Sequence, residues 1–257
     1  MNTPIEISSL ADYINQIDEI TDTEKSYLYR GQENEAWTVT SSAYRRLVNS
    51  SEGLEIEDDP RSYSLRYLYQ NYLFEIINEI KLRYPSTYRD LSPLECMAHL
   101  QHNHVATGLI DFTFSPLIAL WFACTNEDIN GKIIVLENND EKIDEITTIE
   151  QLQQSLNILF PADQEKWHLW SPTLDNQVVE TQRMIIQQSV FLFGLPEVDP
   201  EMVTQEIIVH SDAKEKIRTT LEKMGISGKT LFSDLLGFFE RNSAAQPYNL
   251  TVDALGD

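Results

Sequence analysis

The apolar run from Ser115 to Cys124 constrains the fold of this chain more than any other sequence feature. Its ten residues are about half of what a helix needs to cross a bilayer, so the run is expected in a protein core. Pro116 stands near its start, where the first turn of a helix tolerates proline. We therefore predict a buried helix, in a chain of 257 residues that is long enough for one domain with at most a small annex.

Helical and strand-like patterns fill the rest of the chain. Apolar spacing predicts helices over 7–20, 61–84, 93–103, 212–226 and 228–242, and a helix is one interpretation of 147–160. The expected caps are Ser8 or Ser9 for the first helix, and Asp212 with Gly225 for the fourth. β-branched and aromatic runs predict strands over 26–32, 131–137, 183–194 and 206–211, while 37–47 begins as a strand and turns toward a helix.

These elements predict an α/β (α+β) fold. We expect a single compact domain over residues 1–242, with a central mixed sheet and helices concentrated in the N-terminal half. Segments 131–137 and 183–193 are predicted as interior strands, because a continuous apolar run implies burial on both faces. The tail 243–257 is predicted to be loosely held.

The net charge is strongly negative. Nineteen basic residues against 41 acidic ones give a charge of −22, which disfavours direct binding of nucleic acid. An acidic surface could mimic nucleic acid, suit a basic protein partner, or simply confer solubility.

The N-terminus and the cysteines bear on the cellular compartment. The first 20 residues contain no basic region, so they do not resemble a secretory signal. Cys96 and Cys124 form no CxxC motif and have apolar neighbours, which favours two free thiols in a reducing, cytoplasmic setting and leaves a disulfide open. No membrane association is expected.

Arg30 stands at the end of a strand-like run and is followed by Gly31. An arginine there can aim a planar, bidentate donor into a cleft, while a glycine lets a ligand approach the backbone. An edge-strand arginine paired with one of the many acids is an equally weighted alternative.

A polar cluster precedes the apolar helix. His99, His102 and His104 lie close together, but no HExxH and no cysteine pair accompanies them, so zinc is disfavoured. We predict that His102 ends its helix facing a cleft, where an imidazole can donate to a phosphate or ribose or carry a proton. Asp111 lies in an apolar stretch and must be paired. It caps the next helix, orients His102, or pairs with Arg30.

Thr113 and Ser115 lie where a strand leads into a helix, a place whose free N–H groups favour phosphate. Asp111, Thr113 and Ser115 compete there as helix caps. The sequence contains no Walker motif, GxGxxG or GxSxG, which weakens kinase, Rossmann and α/β-hydrolase interpretations. Cys124 is predicted to be a core thiol rather than a nucleophile.

The motifs YLYRGQ, HLQHNHVATGLIDFTFSPLIALWFAC, RMIIQQSVF and GISGKTLFSDLLGFFERN together resemble the FRG domain family of bacteria and phages, named for an aromatic–Arg–Gly motif. The resemblance runs over about 26–242. The central family pattern is roughly QHxGLPTRLLDWTxSPLxALYFAC. Matching places are held by Gln101, His102, Thr107, Leu109, Asp111, Thr113, Ser115, Pro116, Ala119, Phe122 and Ala123. The departures are His104 for glycine, Ala106 for proline, Gly108 for arginine and Phe112 for tryptophan. The change at 108 is expected to remove one cation from the site.

The resemblance implies a fold distantly similar to the ADP-ribosyltransferases, with NAD as substrate and no metal. Tyr29, Arg30 and Gly31 then match the first NAD-binding position, and Thr113 with Ser115 the second. The third position, usually a glutamate, resembles RxxxQxGxF, which places Gln187 there, with Arg183 and Phe191 on the flanking positions and Ser189 for glycine. Glu180 is expected in the preceding loop.

His102 or Asp111 would then supply the acid–base chemistry, with Gln187 as the ribose partner. We predict that Arg30, His102, Asp111, Thr113 and Gln187 converge in one cleft. The family resemblance implies an NAD-consuming toxin or anti-phage effector that transfers ADP-ribose or hydrolyses the glycosidic bond. The alternative is a non-catalytic module that binds a nucleotide or a protein.

Overall fold

The structure is a computed structural model, which describes residues 3–50, 59–138, 142–172 and 182–243. Its strands are β1 (Ile5–Ile7), β2 (Tyr27–Gln32), β3 (Ile110–Thr113), β4 (Gly131–Glu137), β5 (Ile143–Ile146), β6 (Trp167–Trp170), β7 (Ser189–Phe193) and β8 (Val203–Val209). Within the described residues these form one sheet of eight strands in the order β1-β8-β4-β2-β3-β7-β6-β5. The outer pairs β1–β8 and β5–β6 are parallel and the other pairs are antiparallel. The predicted mixed sheet and α/β class are confirmed.

Helices cover the sheet. They are α1 (Leu10–Ile20), α2 (Ser42–Ser50), α3 (Tyr63–Arg83), α4 (Pro85–Tyr88), α5 (Pro93–His102), α6 (Pro116–Ala123), α7 (Ile149–Leu152), α8 (Leu156–Leu159), α9 (Gln182–Ile186), α10 (Ser211–Lys223), α11 (Gly228–Leu231) and α12 (Leu235–Arg241). Apart from α10, the helices after β4 are short, so the longer helices lie mostly in the first half, as predicted. Among the described residues, no helix combines the length and the apolar character that crossing a membrane requires.

Two groups of helices pack on the same face of the sheet. The apolar helix α6 lies with α1 and α10 over β1, β2, β4 and β8, through contacts that include Tyr29, Ile118 and Ile133. Helices α3 and α5 pack instead over β6 and β7, where Phe191 and Trp170 join their core. The seam between the two groups lies over β3 and β7, and it is where a cavity opens.

The central strands carry buried residues on both faces of the sheet. In β4 the first six residues are buried, and the strand lies between β2 and β8, so the predicted interior strand is confirmed. Strand β2 alternates, with Tyr29 in the core beneath α6 and Leu28 in a third cluster on the opposite face.

Both cysteines are free and buried. Cys96 lies in the α3–α5 core and Cys124 in the α6 core. Burial raises the pKa of the Cys124 thiol to about 12, as expected of a core thiol rather than a nucleophile.

Several predicted elements differ from the structure. Segment 183–194 is not one strand, because α9 covers its start, Gln188 turns at φ 47°, and only β7 joins the sheet. The β-branched content that suggested a strand is a weak preference that packing overrides. Segment 37–47 contributes only an isolated bridge at Thr40 before α2.

Two predicted helices are interrupted. Segment 147–160 forms α7 and α8, and segment 228–242 forms α11 and α12, the second capped by Asp234. Helix α10 begins after His210 rather than after Asp212, while Gly225, at φ 88°, follows its end as predicted. Of the predicted loose tail, residues 244–257 lie outside the described residues.

Candidate functional site

A cavity of about 290 Å³ opens at the seam between the two helical groups. It is lined by Tyr29, Arg30, Gly31, Ala98, Gln101, His102, His104, Asp111, Phe112, Thr113, Phe122, Arg183, Met184, Gln187, Ser189, Phe191 and Phe232. Seven of the eight predicted site residues are therefore found here, although they come from separate elements. The eighth, Ser115, is not among the lining residues.

Arg30 reaches the cavity through a gap in the sheet. Strands β2 and β3 share one paired position, Tyr29 with Thr113. Beyond it, Arg30 Nη1 donates to the main-chain carbonyl of Asp111 at 2.6 Å, in place of a backbone partner. Burial lowers the pKa of Arg30, and the Asp111 carboxylate opposes that shift. Its Nε is buried and has no hydrogen-bond partner among the described residues, so the guanidinium keeps unused donors.

Gly31 serves packing rather than the approach of a ligand. A Cβ at this position would lie 1.8 Å from the carbonyl oxygen of Ala119 in α6. Only glycine lets α6 lie this close to β2. Gly31 also borders the cavity, so the approach of a ligand to its backbone stays a prediction beside this helix–strand contact.

His102 is paired with a carboxylate that the sequence did not suggest. Its Nε2 lies 3.1 Å from Asp234 Oδ2, and the two side chains are 14% and 13% exposed. Burial and the nearby Arg183 lower the pKa of His102, while Asp234 raises it, and the net shift is downward. The downward shift favours the neutral imidazole at pH 7, which is the form that can accept a proton.

Asp234 is the centre of a small ionic cluster. Its Oδ1 accepts from Arg183 Nη2 at 3.0 Å and from the N–H of Gly237 at 2.9 Å. Burial raises the pKa of the Asp234 carboxyl, but the hydrogen bonds from Gly237 and Arg183 outweigh that effect and the net shift is downward. The Arg183 guanidinium also lies 4.8 Å from the centre of the Phe232 ring.

Asp111 points into the cavity without capping a helix or contacting His102. It lies on β3 as an exposed position, and its Oδ1 accepts from Gln101 Nε2 at 2.7 Å. Gln101 is held in turn by the Thr107 hydroxyl. Of the roles considered for Asp111, the cap belongs to Ser115, and the carboxylate that lies near His102 is that of Asp234. The link to Arg30 is made through the Asp111 carbonyl.

Thr113 and Ser115 bond to neighbouring backbone. The Thr113 hydroxyl donates to the carbonyl of Gln187 at 2.7 Å and accepts from the N–H of Ser115 at 3.0 Å. Ser115 caps α6 by accepting from the N–H of Ile118 at 3.4 Å. These bonds join β3, β7 and α6, and they occupy the N–H groups of Ser115 and Ile118 at the predicted phosphate site.

Gln187 lies between α9 and β7, not on a strand. Its Nε2 donates to the carbonyl of Leu231 at 3.1 Å, which ties α11 to the cavity rim. Glu180, the nearest glutamate before it, lies outside the described residues.

The structure shows the backbone and the surroundings at two positions where the chain departs from the family pattern. His104 adopts φ 63°, the left-handed conformation that favours the family's usual glycine. A Cβ at Gly108 would lie 2.5 Å from the Phe160 ring and 2.9 Å from Leu73, so a side chain would point into the core. The expectation that Gly108 removes a cation from the site is therefore wrong for this fold.

The three histidines do not form a metal site. His99 Nδ1 shares a hydrogen bond with Tyr88 Oη at 2.6 Å, and His104 contacts Glu240. In the part of the chain that the structure describes, no three His, Cys, Asp or Glu side chains gather to hold a metal ion.

Asp234, Arg183 and Gln101 are the site residues that sequence reasoning missed. Gln101 and Arg183 matched family positions without being assigned to the site. Asp234 had a detectable signal, since an aspartate inside a predicted helix is a better N-cap than an interior residue.

Fold and cavity together define an α/β protein with a polar site between two helical groups on one face of a mixed sheet. The FRG domain family model matches residues 25–131, which include the Tyr29–Gly31 motif and the segment from His102 to Ser115. The chain therefore carries an FRG domain over these residues. No curated protein and no solved structure matches the chain.

Proposed function

We propose that this protein binds NAD in the seam cavity and cleaves the bond between nicotinamide and ribose. The observation that carries the proposal is His102, with its Nε2 3.1 Å from the Asp234 carboxylate, in a cavity that Arg30 also lines. A base with a lowered pKa and a nearby cation for phosphate is an arrangement suited to nucleotide chemistry.

Asp111, His102 and Asp234 have separate roles in the proposed reaction. The C1′–N bond breaks with its electron pair leaving on nicotinamide, and the Asp111 carboxylate faces the positive charge that develops on the ribose. A carboxylate beside Nε2 favours the proton on that nitrogen, so Nδ1 of His102 is the basic atom. It takes the proton of the water or target hydroxyl that attacks C1′, and Asp234 stabilises the resulting imidazolium.

The aromatic wall supports the same ligand class. Phe122 and Phe232 meet edge to face with ring centres 6.0 Å apart, and Tyr29 lies nearby on β2. Planar bases bind well against such rings. A role as a toxin or anti-phage effector, with a protein target that could be basic, extends the proposal from the family resemblance.

The test is release of nicotinamide from NAD by the purified protein. Wild type should release it, and His102→Ala should lower the rate by about 10²–10⁴-fold, the range typical of a general base. His210→Ala is a matched control, because His210 Nε2 also lies 3.1 Å from a carboxylate, that of Glu6, at the far edge of the sheet. Loss of activity in both variants, or no release by wild type, would contradict the proposal.

A non-catalytic nucleotide-binding module is the second candidate. It is favoured by the position of Gln187, whose amide holds Leu231, and by Asp111 being the one carboxylate among the lining residues of the described chain. Binding of NAD without release of nicotinamide, seen by calorimetry, would select this function.

A further inference from the structure

A second cavity continues from the first on the far side of Arg30. It measures about 270 Å³, and four residues line both cavities: Arg30, Gln101, His104 and Asp111. Arg45 lines only the second cavity. The two cavities therefore adjoin at these four residues, with Arg30 in the lining of both.

Arg45 is held in place in the lining of the second cavity. It lies on α2, and its Nη1 donates to the carbonyl of Thr40 at 2.6 Å and to the Thr40 hydroxyl at 3.2 Å. Arg30 is anchored in the same way by its Nη1, to the carbonyl of Asp111. Each guanidinium is therefore fixed at one end, while the remaining N–H groups are not used by these anchoring bonds.

Arg30 and Arg45 both line the second cavity. Burial lowers the pKa of Arg30, and the charge of Arg45 lowers it further. Asp111 is the acid that opposes the shift in both arginines, and its Oδ1 already accepts from Gln101. Two guanidinium groups against one carboxylate leave a local excess of positive charge, in a chain whose net charge is −22.

On the basis of the proposed NAD-binding function, we infer that Arg30 and Arg45 form a pyrophosphate subsite that spans the two cavities. A guanidinium presents a planar fork that suits phosphate oxygens, and two such forks fit a diphosphate. The ligand is a small nucleotide, because an acidic surface repels a long polyanion such as nucleic acid. The nucleoside ends would lie in the lobes on either side of Arg30.

Binding of ADP, adenosine and inorganic pyrophosphate by calorimetry tests the subsite. Wild type should bind ADP and pyrophosphate, and Arg45→Gln should weaken both by about 10- to 100-fold, as expected for hydrogen bonds to a charged group. Adenosine affinity should not change. Arg46→Gln is the matched control, because the neighbouring Arg46 points to Tyr72 instead, with its Nη1 3.0 Å from the hydroxyl.

Arg45→Lys distinguishes a loss of guanidinium geometry from a loss of folding. It keeps the charge and loses the fork, so ADP affinity should fall between those of wild type and Arg45→Gln, with unfolding temperatures alike.

The inference is overturned if wild type binds ADP no better than adenosine, or if Arg45→Gln binds ADP like wild type. If Arg45→Gln loses ADP affinity and wild type releases no nicotinamide, the subsite stands and NAD cleavage fails. If Arg45→Gln cleaves NAD with an unchanged KM, NAD cleavage stands and the subsite fails.

Discussion

Replacing Asp234 by asparagine should destabilise the fold because it removes the charge that Arg183 and His102 share. The Arg183 and Asp234 side chains are 11% and 13% exposed, and their closest atoms are 3.0 Å apart. Removing one partner of a buried pair costs about 3–5 kcal/mol, since the other charge is left without compensation. Glu240 still lies 3.9 Å from Arg183, which favours the lower end of that range. Asparagine also remains a good N-cap for α12.

We therefore expect Asp234→Asn to lower the free energy of unfolding by about 3 kcal/mol, or the unfolding temperature by about 6–12 °C for a chain of this size. Urea denaturation followed by circular dichroism measures the change. Glu79→Gln is the control, because it removes a carboxylate from an ion pair with Arg83 whose side chains are 61% and 70% exposed. That variant should stay within about 0.5 kcal/mol of wild type. If both variants match wild type, the Asp234 cluster does not stabilise the fold.

Three further outcomes follow from the structure. Because the pKa of His102 is lower in the folded protein, the unfolded chain takes up a proton on this side chain at a higher pH than the folded chain does. The free energy of unfolding should therefore fall as pH drops below 6.5. Because burial also lowers the pKa of His168, the difference between wild type and His102→Gln in urea unfolding across pH 5–7 isolates the His102 contribution. Gly31→Ala should cost at least about 3 kcal/mol in the same assay, since its Cβ would overlap the Ala119 carbonyl and overpacking alone typically costs 1–3. Trp121→Ala, which truncates a side chain 8% exposed, should cost about 3–5 kcal/mol, measured by thermal unfolding.

Local patterns in the sequence predicted the core elements well. The run 131–137 forms β4, 26–32 contains β2, and the apolar segment after Ser115 forms α6. Each of these elements is buried on both faces, so its apolar composition was sufficient to predict it. Segment 183–188 failed for the opposite reason. Ile185 is 48% exposed there, so burial does not enforce the strand that its composition suggests.

The site was predictable as a set of residues but not as a set of contacts. Arg30, His102, Asp111, Thr113 and Gln187 do line one cavity. Which carboxylate meets which base depends on long-range packing. His102 ends α5 and Asp234 caps α12, and only the completed fold brings these two segments together. Sequence spacing carries no information on such a pair, and orientation of His102 was one of three roles predicted for Asp111, which lies on β3.

The aromatic–Arg–Gly motif illustrates how one short run serves both stability and function. Tyr29 packs in the α6 core, and Gly31 lets the α6 backbone approach β2. Between them, Arg30 lies on the other face of β2, the face of Leu28, and its guanidinium bonds to the carbonyl of Asp111 on β3. The two flanking residues thus fix the strand against the helix, and that contact positions the guanidinium between the two cavities. A change at either neighbour should therefore disturb ligand binding through the position of Arg30, even though the neighbour itself mainly supports the fold.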